Sequence, residues 1–343
     1  VGCIPRSPAR RGLVASTAPV AVVIMAAGKG TRMRSTTPKV LHTIGGRSLL
    51  DHAVRAARGL EPEHLVVVVR HERDAVVAHL AEVAPDAVPA DQDDVPGTGR
   101  AVACGLARLP DDLTGPVVVT SGDVPLLDTA TLRALLAQHV ERGDAVTLLS
   151  TVLEDPTGYG RVVREPDGAV SAIVEQRDAN PTQRAITEIN AGVYVFDAAH
   201  LRSALAALGT DNDQGEVYLT DVVARARAAG RPTSALVVAD HWLVEGCNDR
   251  AQLAALGAEL NRRTLARWME AGVGVVDPVG TRVDVDVELA RDVTLEPGAL
   301  LRGTTRIGEG SRVGAYAILT DVEIPAGAVV APFSQLDGDA APG

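Results

Sequence analysis

Aromatic side chains are scarce in this chain: two Phe, two Trp and four Tyr among 343 residues. A nucleic-acid surface built on rows of stacking platforms is excluded by that shortage. Basic residues are outnumbered as well, 33 against 44 acidic, for a formal charge of −11. A phosphate backbone or an anionic membrane does not suit that balance as the main partner. The three cysteines, Cys3, Cys104 and Cys247, are odd in number, far apart and without a C-x-x-C pair. They encode no disulfide framework and fit a reducing compartment. No apolar run approaches a membrane span, and the basic opening stretch VGCIPRSPARRGLVAST lacks the apolar h-region of a secretory signal. The expectation is a cytoplasmic protein whose residues 1–19 form a disordered tail.

Familiar catalytic signatures are missing too. Ser121 has Val119, not glycine, at the upstream position of a nucleophile elbow. The eight histidines contain no H-E-x-x-H pair, since His71 and Glu72 are followed by Arg73, Asp74 and Ala75. What is present begins at Val20. The run VAVVIMAA is apolar and β-branched, as a strand covered on both faces requires. It breaks into GKGTRMRSTTPK, where Gly28 and Gly30 let backbone N–H groups approach an anion and Lys29, Arg32, Arg34 and Lys39 supply charge. A P-loop needs Lys directly after the second glycine, and a dinucleotide fingerprint needs glycine where Met33 stands. The loop A-A-G-K-G-T-R-M followed by P-K-V-L instead resembles the signature of sugar-nucleotide pyrophosphorylases, in which it wraps a nucleoside triphosphate.

From Val20 to about Val244, strand-like and helix-like stretches alternate, the pattern of an α/β domain with a mostly parallel sheet. Strands are expected at Val20–Met25, Leu65–Val69, Val117–Thr120, Ala145–Thr151, Gly192–Phe196 and Ser234–Val238. Helices are expected at Leu49–Arg58, Arg73–Val83, Gly99–Leu109, Thr129–Arg142, Ala199–Leu208 and Tyr218–Ala228. Ligands of such sheets collect at the carboxyl ends of the strands, where Gly28 and Asp123 both fall. Asn248 to Ala271 reads as a helix with Leu253, Leu256, Leu260, Leu265 and Trp268 along one stripe and Gly272 as its stop. Beyond it the period changes to six: Val283, Leu289, Leu295, Leu301, Ile307, Val313 and Leu319. That is the hexapeptide pattern of a parallel β-helix, here enough for about two coils and stopping before Pro325. The expected units are a nucleotidyltransferase domain at 20–247, a connecting helix at 248–272, a β-helix at 273–336 and a tail at 337–343.

In VVVTSGDVPLL an apolar strand ends at Gly122 and Asp123, a placement in which a carboxylate either caps a turn or holds Mg²⁺. In HWLVEGCNDR, Asn248 is either a helix cap or a second oxygen ligand. Together with DQDDVPGTGRA, DPTGYGRV, AIVEQRDAN, TEINAGVYVF and QGEVYLTDV in this order, these segments resemble the uridylyltransferase half of the bacterial bifunctional N-acetylglucosamine-1-phosphate uridyltransferase/glucosamine-1-phosphate acetyltransferases. The resemblance implies a Rossmann-like nucleotidyltransferase domain followed by a short left-handed parallel β-helix. It implies a Mg²⁺-dependent transfer of UMP from UTP to N-acetylglucosamine 1-phosphate.

Carried over by position, Ala26, Ala27, Gly28, Gln92, Gly97 and Thr98 would hold uracil and ribose. Arg32 and Lys39 would contact the triphosphate, Asp123 and Asn248 would bind Mg²⁺, and Gly122, Gly160, Glu175, Asn190, Tyr218 and Thr220 would surround the sugar. Arg32, Lys39 and Asp123 are the expected catalytic residues. Pro96 and the extra acids of DQDDVPGTG depart from the family pattern near Gln92 and leave base selectivity open. Family members trimerise through their β-helices, so an oligomer, with a trimer favoured, is expected. Because no histidine follows His241 and the repeat is read to end near Leu319, no acetyltransferase activity is expected of this chain.

Overall fold

The computed structural model describes residues 18–338. Seven strands form the main sheet in the order Thr233–Val237, Val146–Val152, Glu188–Asp197, Pro116–Ser121, Ala21–Met25, His64–Val69, Val88–Asp91. Only Glu188–Asp197 runs antiparallel to its two neighbours, and every other adjacent pair is parallel. A hairpin of Arg161–Arg164 and Val170–Val174 hangs from Glu188–Asp197. Strand Ala21–Met25 explains why the first apolar run does not alternate with polar residues. Val22 and Ile24 enter one core with Leu50, Val67 and Leu132, while Ala21 and Val23 enter a second with Val66, Val102 and Phe196. Helices cover both faces, so both sets of side chains leave water, each fully buried Val or Ile contributing roughly 1.5–3 kcal/mol.

The helices Leu49–Arg58, Arg73–Val83 and Thr129–Arg142 fall where the sequence places them. Their ends have local causes. The Ser48 hydroxyl accepts from Asp51 N at 3.0 Å, and Asp128 accepts from Thr131 N at 2.7 Å. At the other end Gly143 closes Thr129–Arg142 at φ +62°. Helix Asp221–Ala228 starts three residues later than expected from Tyr218, and in the segment before it Leu219 N donates to Thr98 Oγ1 at 3.1 Å.

A second body follows the long helix Arg250–Glu270. The apolar stripe of that helix is divided between two bodies. Leu253, Leu256 and Leu260 pack with Met33, Ile44, Leu49, Leu126 and Cys247, whereas Leu265 and Trp268 pack into the repeat region. Short strands then stack in three parallel columns, two of four strands and one of three. They make three complete turns of a three-sided parallel β-helix and two sides of a fourth. This corrects the estimate of two coils ending near Leu319. The column residue after Leu319 is Ile324, a step of five, and Val330 and Leu336 then resume the step of six. Asp321, with φ +53°, absorbs the missing residue in its turn. Strand Gln335–Asp337 also takes Asp337 out of the expected tail. The expected tail at 1–19 lies outside the described residues up to 17, as does 339–343. Among the described residues no helix is long and apolar enough to cross a membrane.

The connecting helix is braced by charge. Glu259 accepts from Arg262 Nε at 2.7 Å and from Arg263 Nε at 2.7 Å, and Arg263 also reaches Asp240 at 2.9 Å. Arg262, then Arg263, hold the Glu259 carboxyl down to about 2 against the cost of burial. A depressed carboxyl stabilises the fold above its unfolded value, about 4.3, and loses that contribution as the pH falls toward about 2. Glu259→Gln is therefore expected to lower Tm at pH 7, with the gap from wild type closing between about pH 4.3 and pH 2. A gap independent of pH in thermal melts would remove the charge from this account.

Candidate active site

The site lies where the sheet changes direction. From Ala21–Met25 the chain moves outward to His64–Val69 and Val88–Asp91, then returns to the opposite side at Pro116–Ser121. The loops leaving the carboxyl ends of these four strands diverge there and leave a crevice. A cavity of about 310 Å³ opens at this point, lined by Ala26, Ala27, Gly28, Lys29, Lys39, Gln92, Gly97, Thr98 and Asp123. Every residue expected to hold the nucleoside is among them.

Each wall has a local reason. Ala26 N donates to Val68 O at 2.8 Å, which carries the strand pairing to the edge of the loop. Gly28 faces open space, with nothing within 4 Å of a built Cβ. Gly30 is different: it has φ +62°, and a Cβ there would meet Lys39 Cβ at 2.7 Å. The glycine lets Lys39 lie down across the loop. Met33, 1% exposed, anchors the 3₁₀ turn Thr31–Met33 from beneath, and this leaves Arg32 on the solvent side. Arg32 does not line the cavity, and among the described residues no carboxylate pairs with it.

Asp123 is held on both oxygens. Ser121 Oγ donates to Oδ1 at 2.6 Å, and the Lys39 ammonium sits on Oδ2. Lys39 Nζ also stands 3.5 Å from Asn248 Oδ1. Asn248 is free to point there because Asp249 caps the following helix, accepting from Gln252 N at 2.9 Å. Asn248 is thus not the cap of that helix. Cys247 N donates to Asp123 O at 2.8 Å and ties the two segments together. Burial, followed by Asp123, pushes the Cys247 thiol up to about 11, so it remains neutral.

A second cluster assembles around Glu175. Thr220 Oγ1 donates to Glu175 Oε1 at 3.3 Å, and a Cβ on Gly160 would come within 3.5 Å of the same carboxylate. Asn190 N donates to Gly160 O at 2.9 Å. The Asn190 side chain is aimed by a register shift between Asn190 and Tyr194, where Gly192 has φ +71°. Its Oδ1 accepts from Gly192 N at 3.2 Å and its Nδ2 donates to Tyr194 OH at 2.7 Å. Tyr218 OH accepts from Gln214 at 2.7 Å. Burial raises the Glu175 pKa, with Asp178, Asp221 and Glu216 adding to it and the Thr220 bond opposing it. Tyr159 OH donates to Glu245 at 3.3 Å, joining the DPTGYGR and VEGCNDR segments, and burial with Glu245 pushes the phenol up to about 12.

Arg70, His71 and Glu216 also line the cavity, and the sequence reading misses all three. Two were within reach of the rule that found Asp123: Arg70 and His71 are the first polar residues after the apolar run Leu65–Val69. Burial, then Arg70 and Lys29, lower the His71 pKa. Gln92 turns inward, its Nε2 donating to Val95 O at 3.1 Å and Gly97 O at 3.3 Å.

Residues 22–228 match the family described as MobA-like NTP transferase domain. A bifunctional protein GlmU of Kineococcus radiotolerans is 59% identical over 312 residues, covering 91% of this chain and 63% of its own length. A bifunctional protein GlmU of Rhodococcus jostii is 53% identical over 339 residues, covering 92% and 68% respectively. The chain thus spans roughly two thirds of these curated relatives. A solved UDP-glucose pyrophosphorylase in complex with UDP-glucose aligns at TM-score 0.57 and 16% identity over 71% of this chain and 98% of its own, a likeness of fold. With the family match covering six of the seven strands of the main sheet, all but the edge strand Thr233–Val237, and the GlmU identity covering nine tenths of the chain and so reaching into the β-helix, this chain belongs to the MobA-like NTP transferase family and, within it, to the GlmU group.

Proposed function

We propose that this chain transfers UMP from UTP to N-acetylglucosamine 1-phosphate. The observation that carries the reading is the meeting of Lys39, Asp123 and Asn248 at the mouth of a glycine-lined cavity. A phosphate oxygen of the sugar phosphate attacks the α-phosphorus in line, the α–β bridging P–O bond breaks, and pyrophosphate leaves. No general base is needed, since the attacking phosphate is already anionic at neutral pH. The work left to the protein is positioning and charge.

Asp123 and Asn248 present two hard oxygens toward one cation, the Lys39 ammonium, and two such oxygens fit the share of its ligands that Mg²⁺ takes from protein, the rest being left to water and phosphate. Held by these two residues, Mg²⁺ would draw charge from the reacting phosphates. Lys39 provides the positive charge toward which pyrophosphate departs, and Arg32, from its exposed turn, engages the triphosphate of UTP. Ala26, Ala27 and Gly28 supply a close wall for the nucleoside. Gly160, Glu175, Asn190 and Thr220 form a polar cradle for sugar hydroxyls and the acetamido group, with Tyr218 at its margin, whereas Gly122 packs beside Ala26 and its N donates to Met25 O at 2.9 Å. Glu175 Oε2 has no protein partner among the described residues, which leaves it to accept from a sugar hydroxyl.

Pyrophosphate release with UTP and a panel of hexose 1-phosphates, with and without Mg²⁺, tests the proposal. The expected result is turnover with N-acetylglucosamine 1-phosphate only when Mg²⁺ is present. Turnover with TTP or CTP but not UTP would transfer the chain to another nucleotidyltransferase specificity. We further propose a cytoplasmic setting and self-association through the β-helix, with a trimer favoured. Light scattering showing only monomer across micromolar concentrations would refute the latter.

A further inference from the structure

The polar insert from Asn212 to Thr220 touches two parts of the site at once. Its main chain is stitched to the loop beside the nucleoside cavity. Val217 N donates to Pro96 O at 3.1 Å, Gly99 N donates to Val217 O at 2.8 Å, and Leu219 N donates to Thr98 Oγ1 at 3.1 Å. The fit leaves no slack, because a Cβ on Gly97, whose φ is +116°, would stand 2.3 Å from Val217 O. The other side of the insert reaches the sugar cradle through Tyr218 and through Thr220, which donates to Glu175 at 3.3 Å. Leu219 lies between these two residues, so whatever fixes its amide fixes both of them.

We propose that Thr98 is a positioning residue for the sugar side of the site: by accepting the Leu219 amide, its hydroxyl sets Tyr218 and Thr220 against Glu175. The inference rests on the proposed uridylyl transfer, and it departs from the nucleoside contact that the family resemblance implies for Thr98. The hydroxyl accepts the Leu219 amide at 3.1 Å, and KM for UTP measures whether its remaining proton serves the nucleoside as well. Removing the hydroxyl leaves a backbone donor without its partner next to the cradle.

Thr98→Val keeps the β-branched shape and removes the acceptor, and Thr98→Ser keeps the acceptor. The expected result for Thr98→Val is a rise of about tenfold in KM for N-acetylglucosamine 1-phosphate, with KM for UTP within about twofold, and recovery in Thr98→Ser. Amide hydrogen exchange of the substrate-free proteins is the second readout. Exchange across Val217–Thr220 should quicken in Thr98→Val and return to the wild-type rate in Thr98→Ser. A KM change confined to UTP, no KM change, or unaltered exchange would each overturn the proposal. If wild-type protein turns over no UTP at all, the functional reading fails instead, and the exchange experiment still decides whether Thr98 holds the insert.

Discussion

Asp123→Asn is expected to lower kcat for pyrophosphate release by about two to three orders of magnitude, with a much smaller change in KM for either substrate. The substitution preserves shape, and the main-chain bond from Cys247 N to Asp123 O at 2.8 Å survives it. The Ser121 hydroxyl, 2.6 Å from Oδ1, can still donate to an amide oxygen. What disappears is the negative charge on which Lys39 rests and on which the proposed divalent ion would depend. Charge that is matched only as the α-phosphorus changes partners lowers the barrier without tightening the ground state, so its loss is read in kcat. Asp123→Ala goes further, because it also strands the Ser121 donor, and should add a small loss of stability. Steady-state kinetics beside a thermal melt separate the two effects. Turnover near wild type in Asp123→Asn would remove Asp123 from the proposed metal site.

How much of the site was legible follows from how its residues are brought together. The glycine loop and Asp123 were readable because each sits at the end of an apolar run, and a parallel sheet delivers all such ends to one edge. Asn248 was ambiguous in isolation. Only the structure shows that Asp249 performs the capping and frees the Asn248 carboxamide. Thr98 illustrates the opposite limit. Its place in the GTG segment and its lining of the cavity were foreseeable, but its partner is the amide of Leu219, far along the chain, and no local pattern encodes such a contact. Glu216 was missed for the same reason: the insert that carries it has no periodicity to reveal where it lands.

The fold shows a similar division. Buried strands were visible as β-branched runs and helices as capped segments, whereas Arg161–Arg164 and Val170–Val174 escaped notice because they are short and mixed in polarity. Tertiary pairing makes them strands, not their own composition. The β-helix was recognised by its period and then cut short by it. A strict count of six loses phase at the five-residue step from Leu319 to Ile324, although the apolar column continues through Val330. In a solenoid the constraint is that each turn place an apolar residue inside its column, and a corner can lose one residue when a turn such as that at Asp321 compensates.

Lys39→Met should lower kcat by about two orders of magnitude, and its effect should not multiply with that of Asp123→Asn. The Lys39 ammonium contacts Asp123 and lies 3.5 Å from Asn248, so charge at this point is shared by three side chains and not divided among independent contacts. Gly30 enforces the arrangement, because any Cβ there would meet Lys39 Cβ at 2.7 Å and lift it off the loop. Arg32 has no such support. It is exposed on its turn and outside the cavity lining, so Arg32→Ala is expected to act mainly by raising KM for UTP, by about tenfold, and less on kcat than its place in the loop motif alone implies. The double variant Lys39→Met/Asp123→Asn should turn over within a few-fold of the slower single variant. A full product of the two losses would show that lysine and aspartate act on different steps, and the shared-cation account of this site would have to be given up.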